Sequence, residues 1–487
     1  MAAAEYFPRL LIACWISLVL SGCLKQNRYD YNRIRADYLP LTCPSEAKNK
    51  KMAPLGACKA GETLTIEDAI RIAWANNPNL LMAQARVEQS AAMIRKADAA
   101  FYPALGFYTE YNQGDAPSAF LFKTIDQRKL PPNTDFNNPG WFENYETGLN
   151  ARLNLFNGGR DLINRRIADT DRIILQRDGD AVKNALTGTV IRAYYNSLAA
   201  RDFIAIAEES VSTVESQLRI MRVRCEAGDA LKSDILSLEV RRAQVREEVA
   251  RSQNNFDNAQ TALAALLGIS PDIELAIADA KAPAIQAPAT VSEGITSALL
   301  NRPEIQKARE QVIRSRMAMD RDRSGYLPRV DLVGKYYVDD PDMAYNTDRD
   351  NWTAGVIFNW DLFTGFSTAA DIDGSEAFLR QMLAADRKTV IEVKSDVKTA
   401  YRNLDEARTR FNVAEASVGA AEETLKLVQR QYEGGSATIT RYLEAEFSRN
   451  RAKFRRTAAF YDREKAQADV GRAIGYWFQP PDQNTNL

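Results

Sequence analysis

Residues 145–159 read YETGLNARLNLFNGG, and apolar and polar side chains alternate along most of this run. Successive side chains of a β-strand point to opposite faces, so Leu149 and Leu155 would lie on one apolar face. Residues 352–363, WTAGVIFNWDLF, alternate in the same way. The pattern predicts four strands, over about 104–112, 145–156, 330–339 and 352–363.

The chain contains two copies of one unit. Four signals recur 207 residues later (400 − 193 = 207). Ala193-Tyr194 recurs as Ala400-Tyr401, and Leu155-Phe156-Asn157-Gly158 recurs as Leu362-Phe363-Thr364-Gly365. Glu226-Ala227-Gly228 recurs as Glu433-Gly434-Gly435, and Glu239 recurs as Glu446. Asn77-Pro78 recurs at Arg302-Pro303, 225 residues later, so the first copy carries a loop that is 18 residues longer. A repeat of this size indicates a duplicated supersecondary unit.

Each copy also contains a long helical pattern without proline. It runs from Gly159 to Ala227 in the first copy (227 − 159 + 1 = 69 residues) and from Phe366 to Gly434 in the second. At about 1.5 Å per residue, each helix would reach roughly 100 Å. Sustained Ala and Leu with abundant charge is also typical of any coiled coil, such as a lipid-anchored periplasmic adaptor or structural spacer.

The N-terminus has the form of an export address. Residues 10–20 are apolar and uncharged, too short to span a bilayer but typical of a secretory signal. The following Leu20-Ser21-Gly22-Cys23 resembles the cleavage box of bacterial lipoproteins, which implies removal of residues 1–22 and acylation of Cys23. In lipoproteins an Asp directly after the acylated Cys favours retention in the inner membrane. Leu24 stands at that position here, so the resemblance implies anchoring in the outer membrane. An ordinary export signal with an incidental cysteine is the alternative.

Three cysteines lie beyond Cys23 in the mature chain: Cys43, Cys58 and Cys225. An exported protein meets an oxidising compartment, so Cys43 and Cys58 are expected to form a disulfide, which peptide mapping without reduction would detect. Cys225 lies in a helical pattern.

The predicted export to the outer membrane helps to decide what kind of sheet the strands form. A small soluble sheet and a transmembrane β-barrel both fit strands with one apolar face, and export to the outer membrane favours the barrel. Four strands cannot close a barrel, and open sheet edges are not viable in lipid. The chain is therefore predicted to oligomerise, with each copy contributing two hairpins.

Together, the lipoprotein box, the duplicated unit, the long helices and the glycine-marked turns resemble the TolC family of outer-membrane efflux proteins. The most specific pieces are Asn77-Pro78, the run 155–159 and Tyr432-Glu433-Gly434-Gly435-Ser436. The resemblance implies a mainly α fold with a transmembrane β-barrel portion. It implies a homotrimer with a shared 12-stranded barrel in outer-membrane lipid, continued by a long α-helical barrel across the periplasm. It also implies that segments 113–144 and 340–351 are extracellular loops.

The same resemblance implies a gate at the periplasmic turns, where Gly228 and Gly435 would contact a periplasmic adaptor protein. Family members close this entrance through a Tyr on the second tip and an Asp on the first, which match Tyr432 and Asp234 here. Ser233 replaces the preceding Thr of the family. A second family link uses an Arg that is Ala437 here, so that link is absent.

Family members also use two acids, three residues apart, to constrict the pore. Arg441 stands at the first position here and Glu444 at the second. Three copies of Glu444 near an axis would attract cations, and Arg441 would oppose them or pair with an acid.

Composition excludes several other classes. The chain has no His, which removes Ser-His-Asp and Cys-His nucleophile pairs and His-ligated metals. The net charge of −1 argues against nucleic acid as a partner. No catalytic constellation, cofactor motif or phosphate-binding loop is present, so an inner-membrane pump would supply energy.

The sequence thus predicts a passive export duct, the outer-membrane channel of a tripartite efflux or secretion system, and not an enzyme. The expected segments are a lipoprotein signal (1–22), a lipid-anchored extension (23–61), the first repeat (62–275), a linker (276–287), the second repeat (288–477) and a tail (478–487).

Overall fold

The structure is a computed structural model that describes residues 31, 34–35, 63–228, 230–279, 288–344 and 348–478. Cys23, Cys43 and Cys58 lie outside these residues, so their predicted roles have no structural counterpart here. Two compact units are formed, one by the strands and their connections and one by the helices.

Two copies of one helix-and-strand unit make up the described chain. The first consists of α1 (Ile66–Asn76), α2 (Pro78–Asp98), β1 (Ala104–Gly114), α3 (Pro117–Asp126), β2 (Phe142–Asn157), α4 (Arg160–Glu226) and α5 (Lys232–Leu267). The second consists of α6 (Val291–Asn301), α7 (Pro303–Arg323), β3 (Arg329–Asp340), β4 (Asp350–Asn359), α8 (Ser367–Glu433) and α9 (Ile439–Ile474). The duplication expected from the sequence is confirmed.

Corresponding helices have equal lengths. α1 and α6 contain 11 residues, α2 and α7 contain 21, α4 and α8 contain 67, and α5 and α9 contain 36. At about 1.5 Å per residue, the two longest helices span roughly 100 Å. No described helix combines the length and apolar composition that crossing a bilayer requires.

The four strands form one antiparallel sheet in the order β1-β2-β3-β4. Its register aligns large apolar side chains across the sheet, since Phe107 lies opposite Leu149, Leu149 opposite Tyr336, and Tyr336 opposite Trp352. This face is open in the single chain, where Leu105 is 77% exposed and Trp352 is 73% exposed. A soluble sheet would normally bury such a face, so its exposure marks an interaction surface.

The opposite face of the sheet is polar and ion-paired. Asp331 is fully buried and accepts from Arg152 at 2.7 Å and from Arg329 at 2.9 Å. Glu146 accepts from Lys335 at 2.5 Å and from the Tyr108 hydroxyl at 2.7 Å. The two faces therefore differ in chemistry as the alternation in the sequence predicts.

β4 ends at Asn359, short of the expected residue 363. The indole of Trp360 donates instead to the carbonyl of Tyr326 at 3.0 Å. Gly365, at φ +62°, and Phe366, at φ +68°, then turn the chain towards α8. Trp360, Leu362 and Phe363 remain exposed although the backbone has left the sheet. The sequence pattern therefore extended the predicted strand beyond its real end.

The repeated tyrosines anchor the ends of each repeat. Tyr194 is fully buried, and its hydroxyl contacts the carbonyls of Leu64 at 2.7 Å and Ala278 at 2.8 Å. Its counterpart Tyr401 donates to the carbonyl of Pro288 at 2.8 Å. Each tyrosine thus ties a long helix to a segment that flanks a repeat, which explains why this signal recurs in both copies.

Candidate functional site

The glycines that follow α4 and α8 have the same backbone conformation. Gly228 and Gly435 adopt φ +86° and +75°, a left-handed conformation that favours glycine. The N–H of Gly228 donates to the carbonyl of Cys225, and that of Gly435 to the carbonyl of Tyr432, both at 3.1 Å. The two glycines predicted from the repeat therefore occupy equivalent positions where the helix pairs reverse.

Tyr432 lies in the last turn of α8 and is half-buried. Its ring stacks on Tyr442 with centroids 5.7 Å apart, and its hydroxyl is 3.7 Å from the sulfur of Met221. Burial raises the pKa of Tyr432; Arg224 opposes that shift, and Asp234 adds to it. Among the described residues, no hydrogen bond joins Tyr432 to Asp234, although the two lie in one neighbourhood.

Ser233 and Asp234 belong to the first turn of α5, where an acid interacts favourably with the helix dipole. Ser233 is exposed and Asp234 is half-buried. The carbonyl of Ser233 accepts from the hydroxyl of Ser237 at 3.0 Å. Because α5 begins at Lys232, both residues lie close to the turn that contains Gly228.

Arg441 and Glu444 lie near the start of α9, and both side chains are exposed. Their spacing of three residues places them on one face of the helix. The N–H of Arg441 donates to the Thr438 hydroxyl, which caps α9. Within the described residues neither side chain is ion-paired, so both charges are available to a neighbouring molecule.

An apolar core underlies these turns and joins the two repeats. It draws on four helices: α4 with Val214, Leu218 and Met221, α5 with Leu238 and Val245, α8 with Leu425 and Val428, and α9 with Ile439, Tyr442 and Ala445. Tyr432 packs against it. Packed cores move between discrete arrangements more readily than they deform continuously, so the tips of the two repeats are mechanically coupled.

Sequence reasoning missed a buried charge pair next to this core. Glu446 on α9 is 0% exposed, and its Oε2 lies 3.5 Å from the Nε of Arg241 on α5. Its Oε1 accepts from the amide of Asn450 at 2.7 Å. The guanidinium of Arg241 also lies 5.1 Å from the ring centre of Phe447. The pair links the first repeat to the second.

The repeat contained a signal for this pair. Glu239, the counterpart of Glu446, pairs with Arg222 at 3.0 Å at the surface, with its own side chain 36% exposed. Glu446 instead interrupts a buried stripe of α9 that includes Tyr442 and Ala445. A charge inside an apolar stripe needs a partner, and that partner lies on another helix.

Comparison with known proteins identifies related sequences. The profile of the family described as outer membrane efflux protein matches residues 69–269 and 294–476, one segment in each copy. The cation efflux system protein CusC of Escherichia coli strain K12 is 23% identical over 399 residues, covering 79% of this chain and 80% of CusC. The pyoverdine export outer membrane protein OpmQ of Pseudomonas putida is 21% identical over 443 residues, covering 90% and 91%.

A solved structure of a membrane protein from Pseudomonas aeruginosa has the same fold. It aligns with a TM-score of 0.73 at 22% sequence identity, and the alignment covers 84% of this chain and 90% of that chain. The predicted combination of long duplicated helices with a small antiparallel sheet is confirmed.

Glu446→Gln is expected to destabilise the fold by on the order of 3 kcal/mol, because the guanidinium of Arg241, whose side chain is only 14% exposed, would lose its countercharge. Glu239→Gln is the matched control, since an exposed pair contributes only about 0–1 kcal/mol. Thermal unfolding in detergent, followed by the helical circular dichroism signal, measures both. Equal losses of stability in the two variants would contradict the importance of the buried pair.

Proposed function

The chain belongs to the outer membrane efflux protein family, as its resemblance to TolC-family proteins indicated, and we propose that it is the outer-membrane duct of a tripartite export system. Channels of this family work as trimers with a periplasmic adaptor and an inner-membrane pump. Three copies of this chain would build a passive path from the periplasm to the exterior.

The observation that carries the proposal is the two-faced sheet. One face exposes a continuous apolar surface and the other is charged and ion-paired, as a wall between lipid and water requires. β1 and β4 lie at the edges of the four-stranded order. Because edges cannot face lipid, β4 of one protomer would pair with β1 of the next, and three protomers would close twelve strands.

The turns at Gly228 and Gly435 form the proposed periplasmic gate and adaptor contact. The exposed charges of Arg441 and Glu444 face no partner within the described part of one chain, which suits a contact between protomers around an axis. Tyr432, Ser233 and Asp234 would hold the two tips of one protomer together in the closed state. An adaptor that binds an open arrangement more tightly would shift the equilibrium towards it.

The protein would use no catalytic step and no cofactor of its own. A duct conducts down a gradient, so the inner-membrane pump would supply the energy. Cys23 would carry acyl chains that hold the N-terminal extension in the outer membrane. More than one chain would be needed, because a single chain anchors a protein only weakly.

Purified protein is expected to form trimers on unheated gels and to conduct ions across planar lipid bilayers. The alternative, a lipid-anchored coiled-coil adaptor or spacer, encloses no pore and would leave the bilayer resistance unchanged. Protein boiled in detergent serves as the control. Stable trimers without any conductance, in either orientation and at any applied voltage, would overturn the channel proposal.

Arg441→Asp is expected to raise the permeability of cations relative to anions by several-fold, because three positive charges near the axis become negative. Arg455→Asp is the matched control. Arg455 is also exposed on α9 but lies fourteen residues further from the turn (455 − 441 = 14), about 20 Å away. Reversal potentials in a salt gradient give the ratio. Equal effects of the two variants would argue against a constriction at Arg441.

Cys23→Ser is expected to abolish incorporation of radiolabelled palmitate, whereas Cys43→Ser retains it. The thiol of Cys23 would be the attachment site, and Cys43 lies beyond the cleavage box. Label that persists in Cys23→Ser protein would show that the anchor is elsewhere.

A further inference from the structure

The first copy contains a helix that has no counterpart in the described part of the second. α3, with the turn that follows it, lies in the connection from β1 to β2. The connection from β3 to β4 is shorter and begins after Asp340. The additional residues of the first copy thus form an ordered element.

α3 lies on the polar face of the sheet. Lys123 contacts Glu146 at 2.5 Å and Asp339 at 3.1 Å. The amide of Gln127 donates to Asn144 at 2.8 Å. Arg128, just beyond the helix, donates to Asn351 at 3.2 Å. These contacts reach β2, β3 and β4 in turn, so the segment crosses the sheet at its loop end.

The register shows which face these partners occupy. Thr147 pairs with Val338, and Leu149 pairs with Tyr336 on the exposed apolar face. Glu146 pairs with Asp339, so both side chains point to the opposite face. α3 is therefore on the side of the sheet that faces away from the proposed lipid surface.

Burial shows that α3 is fixed in place. Phe120, Thr124 and Gln127 are buried, and with Lys123 they follow the spacing of one helix face. Asp339 is fully buried, and its Oδ1 accepts from Lys123 and from the amide of Asn144. Removing Lys123 would leave that carboxylate with a single neutral donor, so the lysine is a strong attachment point.

The other face of α3 is apolar and open. Phe122 is 66% exposed and Ile125 is 41% exposed, and neither belongs to the face that contacts the sheet. Twelve strands about 4.8 Å apart, tilted by about 40°, enclose a barrel roughly 25 Å across, and a helix with its side chains is about 10–12 Å wide. Three such helices would occupy much of that opening.

We propose that α3 is a size-selecting constriction at the outer mouth of the channel, attached to the wall by Lys123 and Gln127 and presenting Phe122 and Ile125 to the pore axis. This inference rests on the proposed trimeric duct. Apolar constrictions restrict the passage of hydrated solutes. The outer mouth would thus restrict export independently of the periplasmic turns.

Polymer exclusion in planar bilayers tests the constriction. Polyethylene glycols of graded size are added to one side at a time, and a polymer that enters the pore lowers the conductance. Phe122→Ala with Ile125→Ala is expected to admit larger polymers from one side and to leave the limit from the other side unchanged. Phe136→Ala is the control, since Phe136 is 61% exposed in the same connection but outside α3.

A second pair of variants tests the attachment of α3. Lys123→Ala is expected to raise the same one-sided limit, whereas Lys129→Ala is not, because Lys129 pairs at 2.9 Å with Asp342, which is largely exposed. An exclusion limit that stays at the wild-type value from both sides in the Phe122 and Ile125 double variant would overturn the proposal.

Cross-linking separates failure of the constriction from failure of the channel. In a background with Cys43, Cys58 and Cys225 replaced by Ser, Phe122→Cys is expected to form dimers with a short bismaleimide, and Phe136→Cys is not. Cross-linked α3 without any conductance would support its place at an axis and reject the duct. Conducting channels without cross-linking at Phe122 would reject the constriction.

Discussion

Backbone hydrogen bonding in lipid is the constraint on which the architecture depends. Every N–H and C=O at that depth must have a partner, and a sheet of four strands leaves those of β1 and β4 unpaired on one side. The helical unit has no such requirement, because its hydrogen bonds are internal. The strands therefore determine the number of protomers, and the helices that follow them in the chain inherit that number.

The two copies have helices of matching lengths but differ at particular contacts. The tyrosines at 194 and 401 retain one role, each tying a long helix to a flanking segment. Glu239 and Glu446 differ in role: Glu239 pairs with Arg222 at the surface, whereas Glu446 is buried and pairs with Arg241 of the other repeat beneath the turns. The connection between the first two strands contains a helix that the described part of the second copy lacks. The copies thus differ in the core beneath the turns and in the connection between the first two strands.

Local rules predicted much of the fold from the sequence. Alternation identified the strands and their two faces, and the recurring glycines at 228 and 435 identified the turns, where both residues adopt a positive φ in the structure. The predicted length of the long helices, 69 residues, was close to the 67 residues of each observed helix. A long run without proline has few positions at which a helix could end. The family resemblance supplied the trimer and the gate, which no local rule contains.

Long-range contacts could not be predicted in this way. α3 is a ten-residue helix whose partners are distant strands, so its own residues look like an ordinary loop. The pairing of Arg241 with Glu446 depends on two helices lying side by side. The direction of the Tyr432 hydroxyl, towards Met221, depends on how four helices pack. Each of these is decided by tertiary packing, whereas spacing along the chain decides only secondary structure.

The equal lengths of α4 and α8, and of α5 and α9, restrict how this protein can change size. One inserted residue would advance a tip by about 1.5 Å and rotate it by about 100°, which would turn buried side chains outwards on that helix alone. A change that preserves packing must enter all four helices together, in steps near a whole number of turns, such as about 7 or 11 residues. The length of the proposed duct can therefore change only in such steps, and an adaptor that fits it would have to change length by the same steps.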